Sequence, residues 1–91
     1  MTINFCQIKS KVLDDVIIIT PSIHKEIRGS IWTSYCSELV GPLLPKGMSF
    51  KHDKFSTSKL NVLRGIHGDY KSWKLVSCIS GSIKQIIVDM R

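Results

Sequence analysis

Four ionisable side chains have types and positions that could perform chemistry: His67, Arg64, Lys74 and, earlier in the chain, Arg28. A histidine titrates near neutral pH and can take a proton from a carbon next to a carbonyl group. A nearby lysine or arginine can stabilise the enolate oxygen that then develops, and a further arginine can hold a phosphate through two hydrogen bonds. Together these residues predict proton abstraction from a phosphorylated keto substrate.

Three of these residues lie in one short segment, VLRGIHGDYKSWKLV at 62–76. Arg64 and His67 are three positions apart, so on a regular strand they face opposite sides. A bulge or bend at Gly65 is therefore needed to bring them together. Lys74 opens the next predicted strand and can lie beside His67 at one end of a hairpin. The alternative interpretation is a solvated histidine, surface arginines and a lysine that discourages edge pairing.

The cysteines and the remaining histidines predict no metal site. A common metal-binding pattern on a strand is two histidines one residue apart followed by a glutamate, whereas GIHGDY holds one histidine and no such glutamate. His24 and His52 are far from it in sequence. Cys6, Cys36 and Cys78 form neither a CxxC motif nor a Cys/His zinc pattern. Reduced thiols are therefore expected.

The composition indicates one small basic domain, residues 1–91. The chain is 43% hydrophobic and carries a net charge of +6, which is too apolar for a disordered protein. Its 13 lysines and arginines are dispersed with no two adjacent, unlike the basic patches of nucleic-acid binders. No signal-peptide pattern is present, and the longest aliphatic run, Val16–Ile19, is far shorter than the roughly 20 residues of a membrane helix. We expect a cytoplasmic protein that binds neither nucleic acid nor membrane.

Most segments with a regular pattern are predicted to be strands. Val16–Thr20 is a β-branched run closed by Pro21, and Ser30–Tyr35 alternates apolar and polar side chains. Trp73–Ile79 and Ile83–Met90 flank the short link SGS, which predicts a β-hairpin.

The number of predicted strands indicates the fold class, but the last predicted strand is left with an uncovered edge. A short helical turn is expected before Gly41, and the five or six strands predict an all-β sandwich, barrel or jelly roll. The last predicted strand runs to Arg91 with no turn after it. Either the chain is a fragment or a partner subunit completes the sheet, because an uncovered terminal strand is an edge prone to aggregation.

Three motifs, in order along the chain, resemble one known family. The first is RG at Arg28–Gly29, the second is VLRGIH at 62–67, and the third is KLVSCISGSIKQIIVDMR at 74–91. The arrangement LRGxH…KLV…G…VDxR resembles the dTDP-4-dehydrorhamnose 3,5-epimerase family over about residues 16–91, the N-terminal half of the family's chain. The resemblance implies a cupin-type jelly roll, here partial, and a homodimer whose N-terminal strands cross to the partner.

The resemblance also implies an activity and residue roles. It implies an enzyme without metal or cofactor that acts on dTDP-4-keto-6-deoxyglucose and inverts C3 and C5 on the route to dTDP-rhamnose. His67 falls on the family's catalytic base, and Lys74 falls on the lysine near the C4 carbonyl. Arg64 and Arg28 fall on arginines that line the substrate site and contact the sugar or the diphosphate.

The sequence departs from the family pattern at several positions. The family's QDN strand reads HDK at 52–54, so His52 and Lys54 are expected to make altered substrate contacts. Thr33 replaces an acidic residue, and the loop GDYKSW is shorter than the family norm. The family's acid tyrosine and histidine-paired aspartate are expected outside these residues. They are not matched by Tyr35, Tyr70, Asp69 or Asp89.

Three functions stay open from the sequence. The first is the 3,5-epimerase, and the second is a related nucleotide-sugar 3,4-ketoisomerase, which the HDK segment and the shortened loop favour slightly. The third is a non-catalytic module for sugar-nucleotide binding or assembly, which the unmatched tyrosine and aspartate permit.

Overall fold

The computed structural model describes residues 5–91, and its regular elements are four short strands, one short helix and a 3₁₀ turn. In chain order they are β1 (Phe5–Lys9), β2 (Ile17–Pro21), β3 (Ile23–Glu26), β4 (Gly29–Trp32), α1 (Ser37–Val40) and the 3₁₀ turn Gly41–Leu43. The strands form two separate antiparallel pairs, β1 with β2 and β3 with β4. The regular structure of the described chain is therefore mainly β.

The first pair runs in register from Phe5 opposite Pro21 to Lys9 opposite Ile17. The predicted strand Val16–Thr20 is confirmed with a shift of one residue, and Pro21 is its last residue as expected. β-Branched isoleucines favour the extended backbone. Ser10 closes the connection, because its N–H donates to the carbonyl oxygen of Val16 at 2.8 Å.

The second pair is a tight hairpin in which Glu26 lies opposite Gly29 and Ile23 lies opposite Trp32. The strand predicted at Ser30–Tyr35 is real but ends at Trp32. It ends early because the chain turns towards α1, and the ring of Tyr35 packs edge-on against Phe50 with ring centroids 5.9 Å apart.

The short helical turn predicted before Gly41 is confirmed as α1. Its first bond runs from the N–H of Val40 to the carbonyl oxygen of Cys36 at 2.9 Å. Val40 is 3% exposed and is the only buried hydrophobic residue in the part of the chain that the structure describes. The core of this chain is therefore very small.

The hairpin predicted from Trp73–Ile79 and Ile83–Met90 is wrong for this chain, because neither segment forms strand pairing. Isolated two-stranded hairpins are marginal unless one face is buried, and here Ile79, Ile83 and Ile86 are exposed. The Cα radius of gyration is 15.1 Å, against about 12 Å for a compact domain of this length. Apolar residues at strand spacing thus lie on an open surface.

Candidate active site

Arg28 lies at the tip of the β3–β4 hairpin, where it and Ile27 form the turn between Glu26 and Gly29. Gly29 has a φ of +133°, a conformation that residues with a Cβ rarely adopt, which explains the RG pair. Nη2 of Arg28 forms an ion pair with Oε1 of Glu26, and the Arg28 side chain is 82% exposed. Sequence alone does not indicate this contact, because it depends on the tight reversal of the chain.

An open cleft of about 470 Å³ lies beside this hairpin. Its lining residues are His24, Glu26, Arg28, Gly29, Ser30 and Ile31. Arg28 gives the cleft a cation that can bind a phosphate. The Glu26 carboxylate already forms an ion pair with this guanidinium, so an anionic ligand must compete with Glu26 for Arg28.

The Arg64 guanidinium is held by the loop that precedes it. Its Nε donates to Oγ of Ser58 at 2.8 Å, and its Nη2 donates to the carbonyl oxygen of Thr57 at 2.8 Å. Two bonds orient the planar group, and because arginine has five N–H donors, others remain for a ligand. Arg64 is exposed, so this oriented cation is open to solvent.

Gly65 lies between Arg64 and His67, where the sequence predicts a bulge or bend, and its backbone has a conformation that favours glycine. Its φ is +125°, in a region favourable only to glycine. A Cβ added there would meet only the backbone nitrogen of His67, at 3.9 Å. The φ angle, rather than a lack of room for a Cβ atom, therefore favours glycine at this position. His67 itself is exposed.

Asp69 organises the connection between His67 and Lys74. Its Oδ1 accepts hydrogen bonds from the backbone N–H groups of Lys71 at 2.8 Å and Ser72 at 2.6 Å. These bonds hold the pKa of the Asp69 carboxyl below its ordinary value, and the positive charge of Lys74 contributes to a smaller extent. Lys74 is exposed.

A second cleft, of about 440 Å³, lies where the last residue of the chain meets the β1–β2 connection. Arg91 Nη1 donates to Oδ2 of Asp15 at 3.0 Å, and Nη2 donates to Oδ2 of Asp89 at 2.8 Å. The hydrogen bonds from Arg91 lower the pKa of Asp89 to about 2 and, with Asp15, raise the pKa of Arg91. We call Asp15, Asp89 and Arg91 the terminal clasp. Trp73 also lines this cleft.

The predicted site residues are accessible but are not gathered into one cavity. Among the described residues, His67, Lys74, Arg64 and Arg28 form no hydrogen bond or ion pair with one another. Of these four only Arg28 lines either of the two clefts. The HDK segment, with His52 and Lys54, is exposed and irregular.

Three further findings concern residues 5–91. No helix in this range is long and apolar enough to cross a membrane. Its His, Cys, Asp and Glu side chains form no group of three or more arranged to hold a metal ion. The three cysteines are free thiols.

Comparison with known proteins agrees with the motifs. A family model described as dTDP-4-dehydrorhamnose 3,5-epimerase matches residues 10–91. The chain is 35% identical over 82 residues to the dTDP-4-dehydrorhamnose 3,5-epimerase of Salmonella typhimurium, covering 87% of this chain and 45% of the relative. The enzymes of the same name from Escherichia coli and Pseudomonas aeruginosa are 35% and 31% identical, again over 87% of this chain and 44% and 45% of theirs. The chain thus spans about half the length of the curated relatives it matches, and on the match over residues 10–91 it belongs to the dTDP-4-dehydrorhamnose 3,5-epimerase family.

Proposed function

We propose that this chain supplies the proton-abstracting part of a dTDP-4-dehydrorhamnose 3,5-epimerase. The observation that carries the proposal is the family match over residues 10–91, a range that includes Arg28, Arg64, His67 and Lys74. The substrate class is a dTDP-linked 4-keto-6-deoxy sugar. Its C3 and C5 hydrogens are both adjacent to the C4 carbonyl and are therefore the acidic ones.

In the proposed reaction His67 removes a proton from C3 or C5, and the electrons move onto the C4 oxygen. Lys74 stabilises that enolate oxygen through its ammonium charge. A proton donated to the opposite face of the same carbon by the family's acid tyrosine, which neither Tyr35 nor Tyr70 matches, completes the inversion. His67 and Lys74 must lie close together, because the carbon that loses the proton and the C4 oxygen are close in the substrate. The Asp69 turn between the two residues is consistent with this arrangement.

The arginines are proposed to hold the dTDP diphosphate or the sugar. Arg64 is already oriented by Thr57 and Ser58, so little side-chain freedom remains to be lost on binding. Arg28 must leave Glu26 to bind an anion. His52 and Lys54 are proposed to add contacts that differ from those of the family's QDN strand.

A homodimer with a cupin-type jelly roll is proposed from the family resemblance, and the open surface around the base is consistent with the dimer. Ile66 and Tyr70, on either side of His67, are 91% and 95% exposed. Proton abstraction from carbon benefits from exclusion of water, and a second copy of the chain is proposed to cover this face. The proposed location is the cytoplasm.

The proposal is tested by solvent exchange with the chain and its variants. With dTDP-4-keto-6-deoxyglucose in heavy water, His67→Ala should lower the rate of deuterium incorporation by about 10²- to 10⁴-fold, the usual contribution of a general base. Lys74→Met should lower it by about 10²- to 10³-fold. Lys84→Met is the matched control, because it removes an exposed lysine at a position that the arrangement LRGxH…KLV…G…VDxR leaves unspecified, and it should keep the wild-type rate. Variants of His67 and Lys74 with the wild-type rate would contradict the assigned roles.

A further inference from the structure

The turn at Asp69 is built by one carboxylate oxygen that accepts two successive backbone N–H groups. Oδ1 lies 2.8 Å from the nitrogen of Lys71 and 2.6 Å from that of Ser72. Both distances are short for N–H···O bonds, as is typical when the acceptor is charged. The two bonds fold the chain back within four residues of Asp69, inside the link between His67 and Lys74.

The turn lies between the two residues that are proposed to act on the substrate. His67 precedes Asp69 by two residues, and Lys74 follows Ser72 by two. Because no regular strand holds residues 62–76 in the described chain, the local hydrogen bonds of Asp69 restrict where the two side chains can be relative to each other. Tyr70 is 95% exposed, so packing of its ring does not fix the link.

We propose that Asp69 is a positioning residue that sets the separation of His67 and Lys74 through its side-chain turn. The proposal rests on the proposed function, since it assumes that these two residues act on one substrate. Asp69 is not assigned contact with the substrate or with the base.

Two substitutions separate the effect of the Asp69 side-chain hydrogen bonds from the effect of its negative charge. Asp69→Asn keeps a carbonyl oxygen that can accept the same N–H groups but removes the negative charge beside Lys74. Asp69→Ala removes both. Asp14→Ala is the matched control, because Asp14 is an exposed aspartate whose backbone carbonyl, rather than its side chain, contacts Arg91.

Deuterium incorporation into dTDP-4-keto-6-deoxyglucose is measured for each variant at saturating and at limiting substrate. Asp69→Ala should lower kcat by about 10- to 100-fold, since a misplacement of about 1 Å can cost that much. KM should change little, because the arginines are untouched. Asp69→Asn should recover most of the rate, and Asp14→Ala should match the wild type.

Amide hydrogen exchange at Lys71 and Ser72 gives a readout that does not depend on activity. Asp69→Ala should speed exchange at both amides, and Asp69→Asn should restore their protection. If Asp69→Ala loses this protection yet keeps the wild-type kcat, the positioning role is wrong while the proposed function stands. If the wild-type chain incorporates no deuterium although both amides are protected, the proposed function fails instead, and the positioning role fails with it.

Discussion

Replacement of Arg91 by alanine is predicted to release the Asp89 carboxyl of the terminal clasp. Nε of Arg91 donates to Oδ1 and Oδ2 of Asp89 at 3.0 and 3.2 Å, Nη2 donates to Oδ2 at 2.8 Å, and the backbone N–H donates to Oδ1 at 2.9 Å. These contacts lower the pKa of Asp89 from 3.8 to about 2. The side-chain bonds are the larger cause, so Arg91→Ala should return the pKa most of the way to 3.8. It should stop short of that value because the backbone donor at position 91 remains.

The assay is the ¹³C shift of each aspartate carboxyl, followed by NMR through the acid range. Two controls separate the contact from a general change of charge. Lys84→Ala removes one positive charge without touching the clasp and should leave the Asp89 pKa near 2. The pKa of Asp69, lowered by Lys71 and Ser72, should be the same in both variants. An Asp89 midpoint that stays near 2 in Arg91→Ala would refute the reasoning.

The clasp also predicts a pH dependence of stability. Asp89 has a lower pKa in the folded chain than in the unfolded one, so its ionised form stabilises the fold. That contribution is fully present above 3.8 and is lost as pH falls from 3.8 through about 2. Stability should therefore decline over this window in the wild type and decline less in Arg91→Ala.

Two further substitutions test the backbone and the arginine of the LRGxH motif. Gly65→Ala should lower the free energy of unfolding in urea by roughly 1–3 kcal/mol, because alanine is strained at a positive φ. Gly68→Ala should lower it less, since Gly68 has no positive φ and has open space around it. Equal losses of stability in the two variants would contradict the torsional argument. Ser58→Ala removes the 2.8 Å bond to Arg64 and should weaken dTDP binding in calorimetry by about two- to tenfold. Ser56→Ala is its control, and a loss of affinity equal to that of Ser58→Ala would count against a specific contact.

Elements set by local sequence were predicted well. The β-branched run at 16–20 with Pro21 after it predicts β2, and the position of Gly41 predicts the end of α1. Trp73–Ile79 and Ile83–Met90 have an equally clear strand pattern but form no pairing. Strand pairing depends on a second layer that buries one face, and the pattern of one segment does not say whether that layer is present.

Some features of the candidate site could likewise be predicted from the sequence, and others could not. The residue types of the motif follow from the sequence, Gly65 has a positive φ that glycine adopts readily, and the family resemblance is confirmed. The terminal clasp could not be predicted, because Asp15 and Arg91 are 76 positions apart. The Asp69 turn could have been found, since an aspartate side chain in a turn commonly accepts a hydrogen bond from the backbone N–H two residues on.

The central claim is that His67 removes protons from both carbons next to the C4 carbonyl. Its most direct test is NMR of dTDP-4-keto-6-deoxyglucose after incubation with the chain in heavy water, read at C3 and C5. We predict deuterium at both carbons for the wild type, and incorporation at both carbons about 10²- to 10⁴-fold slower for His67→Ala. Deuterium at C3 alone would contradict the account in favour of a 3,4-ketoisomerase, and binding without deuterium at either carbon would contradict it in favour of a non-catalytic sugar-nucleotide module.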